Sequence, residues 1–142
     1  MSLVYAVHET RSKIREIQAN ARNGLVSELL NKSTQDSMYL ISEKMFESMF
    51  QALEVKNVTE FDKKLGIYTI YNELVPQLVG EGKTIDEAVE RLVDGSIQFA
   101  QDYLDHADVF SGIFNGLQQL MISLIILSEG DRNRVREVLR IA

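Results

Sequence analysis

The hydrophobic pattern is most distinctive between Asp108 and Glu129, where twenty consecutive residues carry no charge. Charged side chains are excluded from segments that meet little water, although they make up 25% of this chain. The polar residues of the segment recur at steps of three or four, which on a helix places them on one stripe: Ser111, Asn115, Gln118, Gln119 and Ser123. The pattern predicts a central apolar helix near 109–128, at the core of a helical domain or at the seam of an oligomer. A membrane span is the third interpretation.

Helix-start signals recur at a nearly constant interval. A hydroxyl residue stands three positions before a carboxylate at Ser33, Thr59 and Thr84, with spacings of 26 and 25 residues. Such a hydroxyl can accept a hydrogen bond from the first helical turn, and the carboxylate favours its positive end. Asp108 and Asp131 are plausible further caps. The interval indicates helices of about twenty residues joined by short loops, as in an antiparallel bundle.

Apolar residues between these signals also step by three or four, as on one face of a helix. The second segment has Met38, Ile41, Met45 and Met49. The third has Phe61, Leu65, Tyr68, Tyr71, Val75 and Leu78. The fourth has Ile85, Val89, Leu92, Phe99 and Tyr103, with Ser96 completing the series. The predicted fold is all-α, an antiparallel helical bundle of five to six helices. We expect a single helical domain over 1–142, with an amphipathic N-terminal helix in 1–31, a four-helix core in 33–128 and a short C-terminal helix in 131–141.

The first segment is poorer in apolar residues than the others. Ile14 and Ala21 are spaced as in a heptad, and Ile17 is offset by three. A helix with so narrow a stripe can pack at the edge of its own domain or pair with another copy of itself. Gly112 and Gly116 would let two backbones approach closely in the charge-free segment. The candidate interface residues of a homodimer are therefore Ile14, Ile17, Ala21, Gly112 and Gly116.

Composition and charge narrow the possible partners. The chain has no cysteine, which excludes disulfides and thiolate chemistry. Its net charge of −6 argues against nucleic acid as a partner, although residues 1–22 carry a local charge of +2. The N-terminal sequence lacks the pattern of a secretory signal. The sequence predicts a cytoplasmic protein that binds no membrane and whose partner is itself or another protein.

The clearest catalytic candidate is the run from His8 to Ile14, HETRSKI. It resembles the phosphoacceptor box of dimeric sensor histidine kinases, in which histidine is followed by glutamate, a basic residue and a hydroxyl residue. The resemblance implies that His8 would accept phosphate and that Glu9 would orient or deprotonate it. An exposed imidazole is a nitrogen nucleophile near neutral pH. The alternative is a solvated polar face with no catalytic residue.

A second candidate, for metal binding, is Asp102 with His106. Residues four apart share a helix face, so both side chains could reach one divalent cation. The alternative is that the acids are solvated and that His106 lies favourably near a helix C-terminus. Asp105 and Asp108 lie nearby in the sequence, but the chain has no Glu-x-x-His pair for a di-iron site and too few histidines for a three-histidine site. The sequence therefore predicts no metal and no cofactor.

Pro76 falls inside a strong helical pattern, where it would remove a hydrogen bond and bend the helix. A helix that curves around its core is one interpretation. The other is a groove beside the kink that binds a small apolar ligand, because flexible methionines adapt to irregular occupants. The candidate ligand-binding residues are Met38, Met45, Met49, Tyr68, Tyr71 and Val75.

No nucleophile, base and acid can be brought together from these residues. The sequence therefore predicts a non-catalytic cytoplasmic helical module for interaction or regulation, homodimeric in solution. Two alternatives stay open. One is a helical sensor that binds a small molecule in an apolar pocket near the Pro76 kink, and the other is a histidine phosphotransfer protein acting through His8.

Overall fold

The structure is a computed structural model that describes residues 2–141. It is 50% helical and 19% strand, with two three-stranded sheets. The prediction of an all-α antiparallel helical bundle is therefore wrong, and the fold is mixed α/β. The chain forms two compact units, residues 1–54 and residues 55–142. That the two together make one domain over 1–142 stays a prediction.

The first unit, called unit 1 below, is a small sheet with two helices. Strand β1 (Val4–Ala6) is followed by a short 3₁₀ turn, helix α1 (Thr10–Arg22), the strands β2 (Ser27–Leu30) and β3 (Ser37–Leu40), and helix α2 (Glu43–Ala52). The sheet order is β1-β2-β3, with β1 and β2 parallel and β2 and β3 antiparallel. Where an N-terminal helix over 1–31 was predicted, the chain therefore forms a β-α-β arrangement.

The second unit, called unit 2, begins with an antiparallel sheet and ends in helices. Its strands are β4 (Asn57–Asp62), β5 (Ile67–Asn72) and β6 (Val79–Gly82), in the order β4-β5-β6. The helices are α3 (Ile85–Asp105), α4 (Ala107–Phe110), α5 (Gly116–Leu127) and α6 (Arg132–Val138). Helix α3 packs on one face of the sheet, and α5 and α6 pack against α3.

The core of unit 2 lies between its sheet and these helices. Ile70 of β5 contributes to it, and Leu92 of α3 and Ile122 of α5 are fully buried there. Helix α6 is also held by ion pairs, in which Arg132 contacts the carboxylates of Asp94 and Glu90 on α3. These pairs raise the pKa of the Arg132 guanidinium, first through the hydrogen bond to Asp94 and then through that to Glu90.

The predicted helix through residues 61–78 does not exist. That segment forms the β4-β5 hairpin and the turn into β6. Apolar side chains occupy both faces of β5 (IYTIYN). Residues three and four positions apart are therefore apolar in this strand as they would be on one face of a helix, and the spacing does not distinguish the two. Thr59 and Asp62 lie in β4, and Asp62 accepts backbone hydrogen bonds from the hairpin turn. Pro76 lies in the turn between β5 and β6, and the predicted helix kink is wrong.

The predicted helix over 109–128 is interrupted. Helix α4 ends at Phe110, and α5 begins at Gly116. Asn115 caps α5, since its side chain accepts from the Gln118 amide while the Gln118 side chain accepts from the Asn115 amide. Part of the predicted polar stripe is thus a helix cap. None of the helices in residues 2–141 combines the length and the hydrophobicity that a membrane span requires.

Two of the predicted helix starts are confirmed by hydrogen bonds. The Thr84 hydroxyl accepts from the Glu87 amide at the start of α3, and Asp131 accepts from the Asn133 and Arg134 amides at the start of α6. Ser33 and Asp36, by contrast, lie in the connection between β2 and β3. The residue that caps α2 is Ser42, whose hydroxyl accepts from the Met45 amide.

Candidate functional site

Helix α1 presents most of its surface to solvent. Only Ile17 and Asn20 are buried, and the exposed positions carry four cations and one carboxylate. The cations are Arg11, Lys13, Arg15 and Arg22. Because the apolar stripe is narrow, the helix rests on its sheet along one line and leaves a basic surface free.

A buried polar group holds α1 in place. The Asn20 side chain donates to the Tyr5 hydroxyl at 2.8 Å and lies 3.5 Å from the Ser27 hydroxyl. Burial raises the pKa of Tyr5, the hydrogen bond from Asn20 lowers it, and the nearby Glu16 carboxylate raises it. Tyr5 is on β1 and Ser27 on β2, so one amide joins the helix to two strands of the sheet.

Helix α2 carries four large apolar side chains on one side, Met45, Phe46, Met49 and Phe50, which we call the α2 apolar face. None of the ten residues of α2 is buried, and Met49 is 58% exposed. On the sheet of unit 1, Val4 and Tyr39 pair with Glu28 from its two neighbouring strands. Val4 is 50% exposed and Tyr39 is 67% exposed. A helix that carries large apolar side chains and buries none of its residues completely is a candidate interaction surface.

The phosphotransfer candidates lie at the start of α1. His8 is exposed in the 3₁₀ turn Val7–Glu9. The Glu9 carboxylate accepts a hydrogen bond from the Ala6 backbone N–H at 2.7 Å, as the carboxylate of a capping box does at the start of a helix. Ser12 donates its hydroxyl to the Glu9 carbonyl at 2.9 Å. Glu9 therefore has a structural partner, and phosphorylation of His8 stays a prediction.

The metal candidates lie at the end of α3. Asp102 accepts from the Gln98 side chain at 3.0 Å, and a ring nitrogen of His106 lies 3.1 Å from the Asp102 carbonyl. Among residues 2–141, no group of three or more His, Asp or Glu side chains is arranged to hold a metal ion. The residues near Asp102 and His106 do not supply a third protein ligand.

The candidate ligand-binding residues fall in different parts of the chain. Met38 lies on β3, and Met45 and Met49 lie on α2, all in unit 1. Tyr68 and Tyr71 lie on β5, and Val75 is fully buried in the core of unit 2. The rings of Tyr68 and Phe61 contact each other at a tilt of 36°, with centroids 4.6 Å apart. The predicted groove beside a kinked helix, which these six residues were expected to line, is therefore absent from the described residues.

The candidate interface residues differ in exposure. Ile14 is 41% exposed, whereas Ile17 is fully buried under α1 and Ala21 is half-buried. Gly112 and Gly116 are both exposed, and a Cβ on either would meet no atom within 4 Å. A homodimer seam through these residues stays a prediction.

The site predictions included only part of these exposed surfaces, because Met45, Met49 and Tyr71 were candidates while their neighbours were not. Tyr39 and Phe46 of unit 1 were not named as site residues, and neither were Glu60 and Glu81, two exposed carboxylates on the sheet of unit 2. The sequence does contain a signal for α2, because Met45, Met49 and the two phenylalanines beside them follow a Ser42 cap. The strands of unit 2 could be recognised by their β-branched and aromatic residues.

Comparison with solved structures supports the fold. The chain is similar to a crystal structure from Syntrophomonas wolfei subsp. wolfei, described as an antitoxin part of a toxin/antitoxin system. The TM-score is 0.63 and the sequences are 16% identical, with 99% of this chain and 95% of the other covered. At that identity the likeness shows a shared fold. No curated protein sequence matches the chain.

Comparison with protein families identifies the class. Residues 1–140 match the PHD-like family model, which is described as the antitoxin of a toxin-antitoxin, RelE/RelB system. An antitoxin is a regulatory protein, so the prediction of a regulatory module is confirmed at this level. Because the match spans both compact units, the chain belongs to the PHD-like family of antitoxins.

Proposed function

We propose that this chain is the antitoxin of a toxin–antitoxin system and that it acts by binding its toxin protein. The observation that carries the proposal is the family match over residues 1–140. An antitoxin that acts by binding needs interaction surface, and both units expose apolar and charged surface. A cytoplasmic location, as predicted from the sequence, is part of the same proposal.

Co-expression with the protein encoded beside this chain tests the proposal. We expect the neighbouring protein alone to arrest growth, and co-expression of the chain to relieve the arrest. The two proteins should also co-elute as one complex in size-exclusion chromatography. The control is the same transcript with an early stop codon, which supplies the RNA and no protein. Continued arrest at equal expression, with no complex, contradicts the proposal.

A second proposed activity is DNA binding by unit 1. The expectation that nucleic acid is excluded came from the net charge of the whole chain, but phosphates respond to the local field. Helix α1 carries Arg11, Lys13, Arg15 and Arg22 against the single carboxylate of Glu16, all exposed. An exposed basic helix is a surface that the DNA backbone attracts, which supports this activity.

Fluorescence anisotropy with DNA from upstream of the chain's own gene tests this second activity. We expect Arg11→Glu with Arg15→Glu to weaken binding at least about tenfold and to lower the salt slope by about 2, since two phosphate contacts are lost. Lys32→Glu with Lys44→Glu changes the charge of unit 1 equally away from α1 and is the matched control. Equal binding by the two double variants contradicts a role for α1.

We also propose that the chain is a homodimer through the α2 apolar face. On this face Met49 is 58% exposed, and Met45 and Phe46 are half-buried. Burial of apolar area is the main favourable contribution to association. A seam through Ile14, Ile17 and Ala21, or through Gly112 and Gly116, is the alternative that the sequence suggested.

A further inference from the structure

The sheet of unit 2 has one face that carries all of its charge. Its three strands contain Glu60, Asp62 and Glu81 and neither lysine nor arginine. Gly80 pairs with the buried Ile70 and packs under α3, so these two residues mark the covered face. Because side chains alternate along a strand, the three carboxylates lie together on the opposite face.

Two rows of side chains cross this opposite face. In one row Glu60, Thr69 and Glu81 stand side by side on the three strands, and in the next row the residues are Val58, Tyr71 and Val79. The Tyr71 hydroxyl lies 3.5 Å from a Glu60 carboxylate oxygen and so connects the rows. We call these six residues the acidic sheet face.

Within unit 2 the helices leave the acidic sheet face open. Helix α3 covers the Gly80 side, α5 and α6 pack on α3, and the Asn57 side chain joins that same side to the Leu139 carbonyl. Val79 is 40% exposed, and Glu60 and Glu81 are exposed. Within residues 2–141 no lysine or arginine forms an ion pair with Glu60, Asp62 or Glu81.

The negative charge of the acidic sheet face favours a positively charged binding partner. Residues 55–142 carry fourteen acidic and nine basic residues, a net charge of −5. Carboxylates at 60 and 81 repel the phosphates of DNA and RNA and attract the guanidinium and ammonium groups of a basic protein. Lys63 and Lys64 follow Asp62 in the hairpin turn, outside the two rows, and line a cavity at the edge of the face together with Glu60 and Thr69. The apolar row beside the acids supplies area to bury.

We propose that the acidic sheet face binds the toxin, and that the toxin meets it with a cationic surface around an apolar centre. This inference rests on the proposed function. Arginine or lysine side chains of the toxin pair with Glu60 and Glu81, while Tyr71 lies between Val58 and Val79 as an aromatic anchor. Tyrosine suits that position because its ring is apolar and its hydroxyl is polar.

The test uses the full chain and the toxin that co-elutes with it. Glu60→Lys with Glu81→Lys should raise the dissociation constant at least about tenfold and reduce its dependence on salt, since attractive pairs become repulsive. Asp105→Lys with Asp108→Lys is the matched control, because it makes the same change of charge at exposed positions near α4.

Three results would overturn the inference while the proposed function stands: unchanged affinity in Glu60→Lys with Glu81→Lys, an equal loss in both double variants, or a loss only in the control. A change from dimer to monomer in Glu60→Lys with Glu81→Lys would assign the face to a second copy and would also overturn it. Glu60→Gln with Glu81→Gln removes both charges without added bulk. If the lysine variant fails to fold, the dissociation constant of this glutamine variant is the test: an increase supports the inference and an unchanged value overturns it. If the wild-type chain binds no toxin, the proposed function fails first.

Discussion

Gly80 of β6 lies so close to Leu92 of α3 that a Cβ on Gly80 would stand 2.2 Å from the Leu92 amide nitrogen. Gly82 is almost as close to Ala88, where the same distance is 2.6 Å. Two glycines on one side of the strand therefore let the helix backbone rest directly on the sheet. This close packing fixes α3 against one face of the sheet, and the opposite face is the acidic sheet face.

Gly80→Ala should lower the free energy of unfolding by about 1–3 kcal/mol, because the added methyl meets backbone atoms that cannot rotate away. Urea denaturation followed by circular dichroism measures the change. Gly112→Ala is the matched control, since its added Cβ meets nothing within 4 Å. Equal denaturation midpoints for the two variants would show that β6 and α3 are further apart than the structure has them.

Parts of the fold could be predicted from the sequence where local signals decide. Thr84 and Asp131 marked the starts of α3 and α6, because a cap acts within one helical turn. Thr59 followed by Asp62 has the same pattern in β4, where pairing with β5 determines the structure. The spacing of a hydroxyl residue three positions before a carboxylate therefore does not distinguish a helix start from a strand that pairs with another strand. Strand pairing is non-local, and tertiary contacts override local propensity.

The candidate site was predictable only in part for the same reason. The methionines at 45 and 49 were correctly placed on one helix, but Met38 belongs to β3. The acidic sheet face depends on register: Glu60 and Glu81 lie twenty-one positions apart and meet only through Thr69. No periodicity within one strand shows which residues a second strand brings beside it.

Asn72→Leu should destabilise unit 2 by about 1–3 kcal/mol, because it leaves a buried N–H without an acceptor. The fully buried Asn72 side chain accepts from the Val75 amide at 2.8 Å and donates to Asn57 at 3.1 Å. Scanning calorimetry gives the loss of Tm, and hydrogen exchange of the Val75 amide should accelerate. Gln77→Leu alters an exposed amide in the same turn and should change stability by under about 0.5 kcal/mol. A Val75 amide that stays protected in Asn72→Leu contradicts this account.

Tyr5 should make the stability of unit 1 fall at alkaline pH. Burial raises the pKa of its hydroxyl above the ordinary 10.0 in the folded state. As pH rises through 10.0 the unfolded chain loses this proton while the folded chain keeps it, so stability falls.

Unfolding free energies between pH 9 and pH 11 (roughly one unit either side of the ordinary tyrosine pKa) measure this slope. Tyr5→Phe should flatten it. Tyr39→Phe removes the hydroxyl of a residue that is 67% exposed and should leave the slope unchanged. If both variants keep the wild-type slope, burial of Tyr5 does not govern alkaline unfolding.

Met49→Glu should convert the proposed homodimer to monomer. Met49 lies on the α2 apolar face and is 58% exposed, and a carboxylate placed between two copies would lose water without gaining a partner. We expect the dissociation constant of the dimer to rise at least about tenfold, measured by sedimentation equilibrium. Gln51→Glu adds the same charge at an exposed position on the polar side of α2 and should leave the dimer intact. If Met49→Glu stays dimeric, the two copies meet elsewhere, and the glycines at 112 and 116 become the surface to alter next.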